Sequence, residues 1–224
     1  MKNICDSKSS LACSLQSKMI QNHPLDSVKT PFIFPLNTVL FPGSMLPLKI
    51  FEQRYMEMTK ICIGEGRPFG VCLIKEGRET GIPAVPQEVG CLARITQWEM
   101  PQLGVFHLST EGTQRFRIVR SSTRKDGLIS AVIETLPGDP QVAPAEAFCG
   151  DVLKSIIEKM GAVHFPAPHH FDDAAWIGYR LGELLPISLN AKQLLLQTDD
   201  PQERLSRLSE LLSRPGAQSQ GKVD

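Results

Sequence analysis

The chain has 224 residues, enough for one large domain or two small packed units with a real hydrophobic core. Its 24 Lys and Arg balance 24 Asp and Glu, so it lacks the broad positive field that drives nonspecific nucleic-acid binding, and such a role would need a local patch. A membrane-spanning helix needs about 18 uninterrupted apolar residues, and even FIFPLNTVLF is cut short by polar residues and proline.

Residues 1–30 are polar and Ser-rich, with no basic run leading into an apolar core, so they read as a disordered tail without a secretory signal. The next segment, FIFPLNTVLFPG, is expected to be extended edge strand and turn, because its prolines remove ladder donors and Gly43 suits a tight bend. Glu52 and Arg54 either pair locally, cap the following helix, or form a solvated surface pair. In RYMEMTKICIGEG, Tyr55, Met58, Ile61 and Cys62 fall at helical spacing and Gly64 and Gly66 supply a stop, predicting one helix that covers a barrel end. Strand-like runs follow at 69–74, 90–100, 104–112, 114–120 and 127–136, spaced by turn residues as in a barrel or sandwich.

From Ala143 the texture becomes helical. Leu153, Ile156, Ile157 and Met160 form a stripe closed by Gly161. Asp172 or Asp173 can cap AAWIGYRLGELL, which stops before Pro186; Asn190 can cap AKQLLLQ; and Asp200-Pro201 opens PQERLSRLSELLS. These signals give an α+β chain: a tail over 1–30, a barrel of about six strands with a covering helix over 31–140, a helical bundle over 141–214, and a second disordered tail over 215–224.

Pro35-Leu36, Val39-Leu40-Phe41-Pro42-Gly43, Pro47-Leu48, Phe51-Glu52 and Arg54-Tyr55 resemble the opening signature of the Lon protease N-terminal (substrate-binding) domain family. Gly90-Cys91-Leu92-Ala93-Arg94-Ile95, Glu111-Gly112 with Arg115-Phe116-Arg117-Ile118, Leu184-Leu185-Pro186, Lys192 to Leu195 and Asp200 to Leu205 are similar to later parts of the same domain, in order. The resemblance implies a PUA-like barrel joined to a helical bundle, and a role in recognising unfolded or tagged polypeptide. A protease or chaperone is the partner it suggests. The chain carries no GxxxxGK[ST] phosphate loop and no context that would activate Ser44 or Ser188 as a nucleophile, so we expect a stand-alone, noncatalytic, cytoplasmic binding module without ATPase or protease domains.

Trp98, Met100 and Leu103 surround a connection that should be polar, which nominates them for peptide capture, although folding back over a barrel end would also account for them. Arg115 and Arg117, two apart on a strand, would share a face opposite Phe116 and Ile118; an RNA reading would use that face for phosphates, but few aromatics stand near to stack bases. His164, His169 and His170 with Asp172 and Asp173 have metal-ligand chemistry, yet their spacing fits a Pro-rich loop whose aspartates cap a helix better than a preorganised metal site. The six cysteines include no CxxC pair, which favours free buried thiols over a zinc site or a disulfide framework, and no cofactor is expected.

Overall fold

The computed structural model describes residues 31–143, 147–161, 165 and 167–213, so the tails expected over 1–30 and 215–224 lie outside the described residues. Among the described residues seven strands come first: β1 (Phe32–Leu36), β2 (Met45–Ile50), β3 (Phe69–Glu76), β4 (Val85–Pro86), β5 (Val89–Gln102), β6 (Val105–Thr123) and β7 (Ile129–Thr135), with α1 (Gln53–Glu65) inserted after β2. The helices described after them are α2 (Ala147–Met160), α3 (Ala174–Leu184), α4 (Leu189–Gln197) and α5 (Pro201–Ser213). No helix among the described residues is long and apolar enough to cross a membrane.

The strands run in the order β1-β7-β6-β5-β3, and a parallel pairing of β1 with β3 returns the sheet to its start, so five strands form a closed ring of pairings. Closure removes the exposed edges that an open sheet must protect. It also corrects the expectation that FIFPLNTVLFPG is an edge strand: β1 is buried throughout and pairs on both sides. Pro35 is tolerated there because β7 pairs only Phe32 and Ile33, leaving that side of the strand open at the proline.

The two runs read separately at 104–112 and 114–120 are one strand, β6, 19 residues long. Gly112 does not break it. A Cβ at Gly112 would stand 2.2 Å from the Phe41 carbonyl oxygen, so the glycine is there to let the Phe41–Ser44 turn close on the strand. Gly43, with φ of 74°, forms that turn, and its N–H donates to Gly112 O at 2.7 Å. The continuous β6 can therefore carry β2 along its first half and β7 along its second, with β5 on its other side.

Helix α1 lays Tyr55, Met58 and Cys62 into the barrel core with Phe34, Phe69 and Phe106, and ends at Gly66 in the left-handed conformation. Glu52 accepts from Arg54 at 2.9 Å without capping the helix through its side chain. The Arg54 guanidinium is buried against the Tyr55 ring, 4.7 Å from its centroid.

The helical half shares a core with the barrel: Phe41, Leu73, Val89 and Leu136 pack with Leu153, Ile177, Leu181 and Leu205. Asp173 caps α3 by accepting from Ala175 N at 2.9 Å, and Asp200 accepts from Gln202 N at 2.9 Å at the head of α5. For α4 the cap is Ser188, which accepts from Ala191 N at 3.2 Å; Asn190 lies inside the helix, two residues after the Ser188 cap.

Candidate binding surface

Strands β5 and β6 run on past the ring of pairings as a two-stranded hairpin. Its last rungs are Glu99↔His107 and Gln102↔Val105, and Leu103-Gly104 form the bend, with Gly104 at φ of 85°. All six residues from Gln97 to Gln102 are exposed. Trp98 is 37% exposed with its ring edge-on to buried Phe106, the centroids 6.0 Å apart, so one side of the indole is anchored and the other faces solvent. Met100 is 40% exposed and Leu103, at the tip, 97%. The three residues nominated from the sequence are thus brought to one projecting hairpin, and none is folded into a barrel core.

Beside them lies a trough of about 590 Å³ floored by β6 and walled by β2 and β5. The pleat explains its lining. Phe106, Leu108 and Thr110 of β6 face the core, while His107, Ser109 and Glu111 face out. Register then sets Lys49, His107 and Glu99 in one row and Pro47, Ser109 and Gln97 in the next. His107 Nδ1 and Glu99 Oε1 are 3.3 Å apart, and Arg94 closes the following row by pairing Glu111 at 2.6 Å. A polar floor with both charge signs beside an apolar hairpin can hold mixed surfaces. Sequence reasoning missed β2 and the Lys49–His107–Glu99 row; the alternation in MLPLKI, with Leu46, Leu48 and Ile50 turned in and Met45, Pro47 and Lys49 out, was the available signal.

The arginine face expected from the sequence is not formed. Arg117 is exposed, but Arg115 is 3% exposed and locked into the joint between barrel and helices. Its Nη1 donates to Leu196 O, Thr198 O and Asp199 Oδ1 at 3.1, 3.2 and 3.0 Å, and its Nη2 to Asp139 Oδ1 at 2.9 Å. Asp139 also accepts from Arg204 at 2.6 Å, and the Arg204 guanidinium sits 4.1 Å from the Tyr179 centroid. The helical segment packs over this part of β6 and converts what alternation makes an outer face into an interface. Arg115 therefore has no guanidinium to offer a phosphate.

Arg180 makes a second tie, donating to Pro42 O, Gly43 O and Ser44 Oγ at 2.7, 2.9 and 2.8 Å; burial pulls its pKa below the usual value for arginine. Ser44 is thereby a buried acceptor in this joint and Ser188 a helix cap.

The histidine-rich loop packs as an aromatic cluster: His169 lies within 5.7 Å of Phe165 and 5.5 Å of Phe171, ring to ring, and all three surround Trp176. His164 lies outside the described residues, and no group of His, Cys, Asp and Glu among the described residues is arranged to hold a metal ion. Cys62, Cys72, Cys91 and Cys149 are buried, the first three as free thiols, and loss of solvation pushes the Cys62 and Cys91 thiols up to about 12. Cys5 and Cys13 lie outside the described residues.

Residues 31–214 match the model of the ATP-dependent protease La (LON) substrate-binding domain. The chain belongs to this family. A solved Lon N-terminal domain protein from Xanthomonas campestris is 35% identical and superposes with a TM-score of 0.68, covering 83% of this chain and 99% of that one. The N-terminal domain of the Mycobacterium avium complex Lon protease shares the fold at 17% identity, with a TM-score of 0.62. The Lon protease of Paraburkholderia phytofirmans is 24% identical over 208 residues, which are 84% of this chain and 26% of that protein. Protein cereblon of Danio rerio matches 51% of the chain at 27% identity. The chain thus spans about a quarter of the length of these longer relatives, and what they match is the substrate-binding domain.

Proposed function

We propose that this chain is a noncatalytic module that captures non-native polypeptide and works in the cytoplasm as an adaptor or chaperone-like factor in protein quality control, delivering what it holds to a protease or chaperone. One observation carries the reading: the β5–β6 hairpin presents Trp98, Met100 and Leu103 to solvent on a backbone anchored by Phe106. Folding normally hides such side chains, and an exposed apolar tip beside a polar trough suits transient contact with varied unfolded chains. The family's description as a substrate-binding domain supports the same direction, and the free buried thiols suit a reducing compartment. The test is fluorescence anisotropy with a chemically unfolded, labelled model protein. Binding by the intact chain that weakens roughly tenfold in Leu103→Ser, with melting temperature unchanged, supports the reading. Binding to native and unfolded forms alike, or to neither, removes it.

A further inference from the structure

Strand β2 keeps a free edge beside the β2–β6–β5 trough, as β5 does beyond Ala93, its last pair with β3, and the β2 edge has a depression on each side. Among the described residues β2 pairs with β6 alone, in the register Met45↔Glu111 to Ile50↔Phe106. One step before that register begins, Gly112 N donates to Ser44 O at 2.8 Å. Antiparallel hydrogen bonding alternates residue by residue, so Ser44, Leu46, Leu48 and Ile50 turn their backbone groups toward β6. Met45, Pro47 and Lys49 turn theirs outward. With no N–H on proline, the edge offers two donors and three acceptors.

Both sides of this edge are concave. On the outer side Pro47, Leu48 and Lys49 line the trough already described. On the other side the same three residues line a second depression of about 200 Å³, whose walls are apolar (Phe34, Leu36, Ile50 and Phe51) and which carries Glu52 and Glu79. Phe51 is 56% exposed there.

Resting on the polypeptide-binding reading, the geometry points to β2 as the site where a client segment is held, by adding an antiparallel strand to the Met45–Ile50 edge. Alternation then specifies the client. Every second side chain enters the apolar depression, and the intervening ones lie over the Lys49–His107–Glu99 row. In the antiparallel sense the client's N-terminal flank meets the Ile50 end, where Glu79 favours Lys or Arg, Glu52 being already paired with Arg54. The client is an extended segment with apolar residues at alternate positions and a basic residue just before them. A second copy of this chain is a poorer occupant: antiparallel self-pairing centred on β2 sets Pro47 against Pro47, with no donor between them. The missing donor also keeps client binding weak enough to release.

The test uses the full chain and a labelled ten-residue peptide, Lys followed by alternating Val and Thr. Two controls accompany it: the same composition with the valines clustered, and the alternating peptide N-methylated at every second residue on its pairing edge. The alternating peptide should bind at least tenfold more tightly than either control and should slow amide exchange at Met45 and Lys49. Equal binding of all three peptides overturns strand addition, and if the unfolded model protein still binds, the broader reading survives. Failure of every polypeptide to bind removes both. Slowed exchange at Met45 and Lys49 without peptide, together with a dimer in sedimentation, assigns the edge to a second copy and overturns the proposal.

Discussion

Replacing Asp139 by alanine takes away a carboxylate shared by two buried guanidinium groups. Asp139 is 4% exposed, Arg115 3% and Arg204 0%, and the two contacts are 2.9 and 2.6 Å. Arg115 keeps Asp199, which lies mostly in solvent, and both arginines keep backbone carbonyls. Neither retains a buried counter-charge. Breaking a buried pair from one side costs about 3–5 kcal/mol, because the stranded charge has already lost its water. For a domain of this size each kcal/mol moves the melting temperature by about 2–4 °C, so Asp139→Ala should melt roughly 6–20 °C below the parent. Circular dichroism melts and urea titrations read this directly. Asp199→Ala is the control and should cost no more than about 1 kcal/mol, since its side chain is largely solvated. An Asp139→Ala variant within about 1 kcal/mol of the parent would show that the joint is not held by this network.

Gly112→Ala should fail to fold or lose several kcal/mol, because its new methyl group meets the backbone at Phe41 and not a side chain that can swing away; soluble yield and the melt check this. Stability should fall as pH rises through the alkaline range. The Cys62 and Cys91 thiols stay neutral up to about 12 in the fold but ionise near 9 when unfolded, so their contribution is complete below pH 9 and is lost between 9 and 12. Urea midpoints against pH should show that decline, and Cys62→Ala should flatten it. Leu103→Ser should leave stability within about 0.5 kcal/mol, as an exposed tip residue stabilises little, while weakening polypeptide capture.

The legible parts of the fold were those whose signals are local. Proline at the first turn of α5, Asp173 before α3 and Gly66 after α1 act over three or four residues, and each did what its chemistry dictates. Chain closure is not local: nothing in FIFPLNTVLFPG says that β3 will pair β1 in parallel, so an internal strand read as an edge. Arg115 shows the same limit more sharply. Alternation correctly set it apart from Phe116, but whether the face beyond a strand is solvent or protein depends on helices 80 residues later, and here Leu196, Thr198 and Asp199 cover it. The hairpin residues Trp98 and Leu103 could be nominated because an apolar residue in a turn is anomalous by itself. The Lys49–His107–Glu99 row could not, since it is assembled by register across three strands.

The central claim is capture of non-native polypeptide at the hairpin, and a photo-crosslinking amino acid placed at Leu103 tests it most directly. Challenged with one model protein in native and unfolded forms, the probe should crosslink the unfolded form only, and a probe at exposed Val119, on the distal part of β6, should crosslink neither. Equal labelling from both positions, or none of the unfolded form from Leu103, would contradict the account.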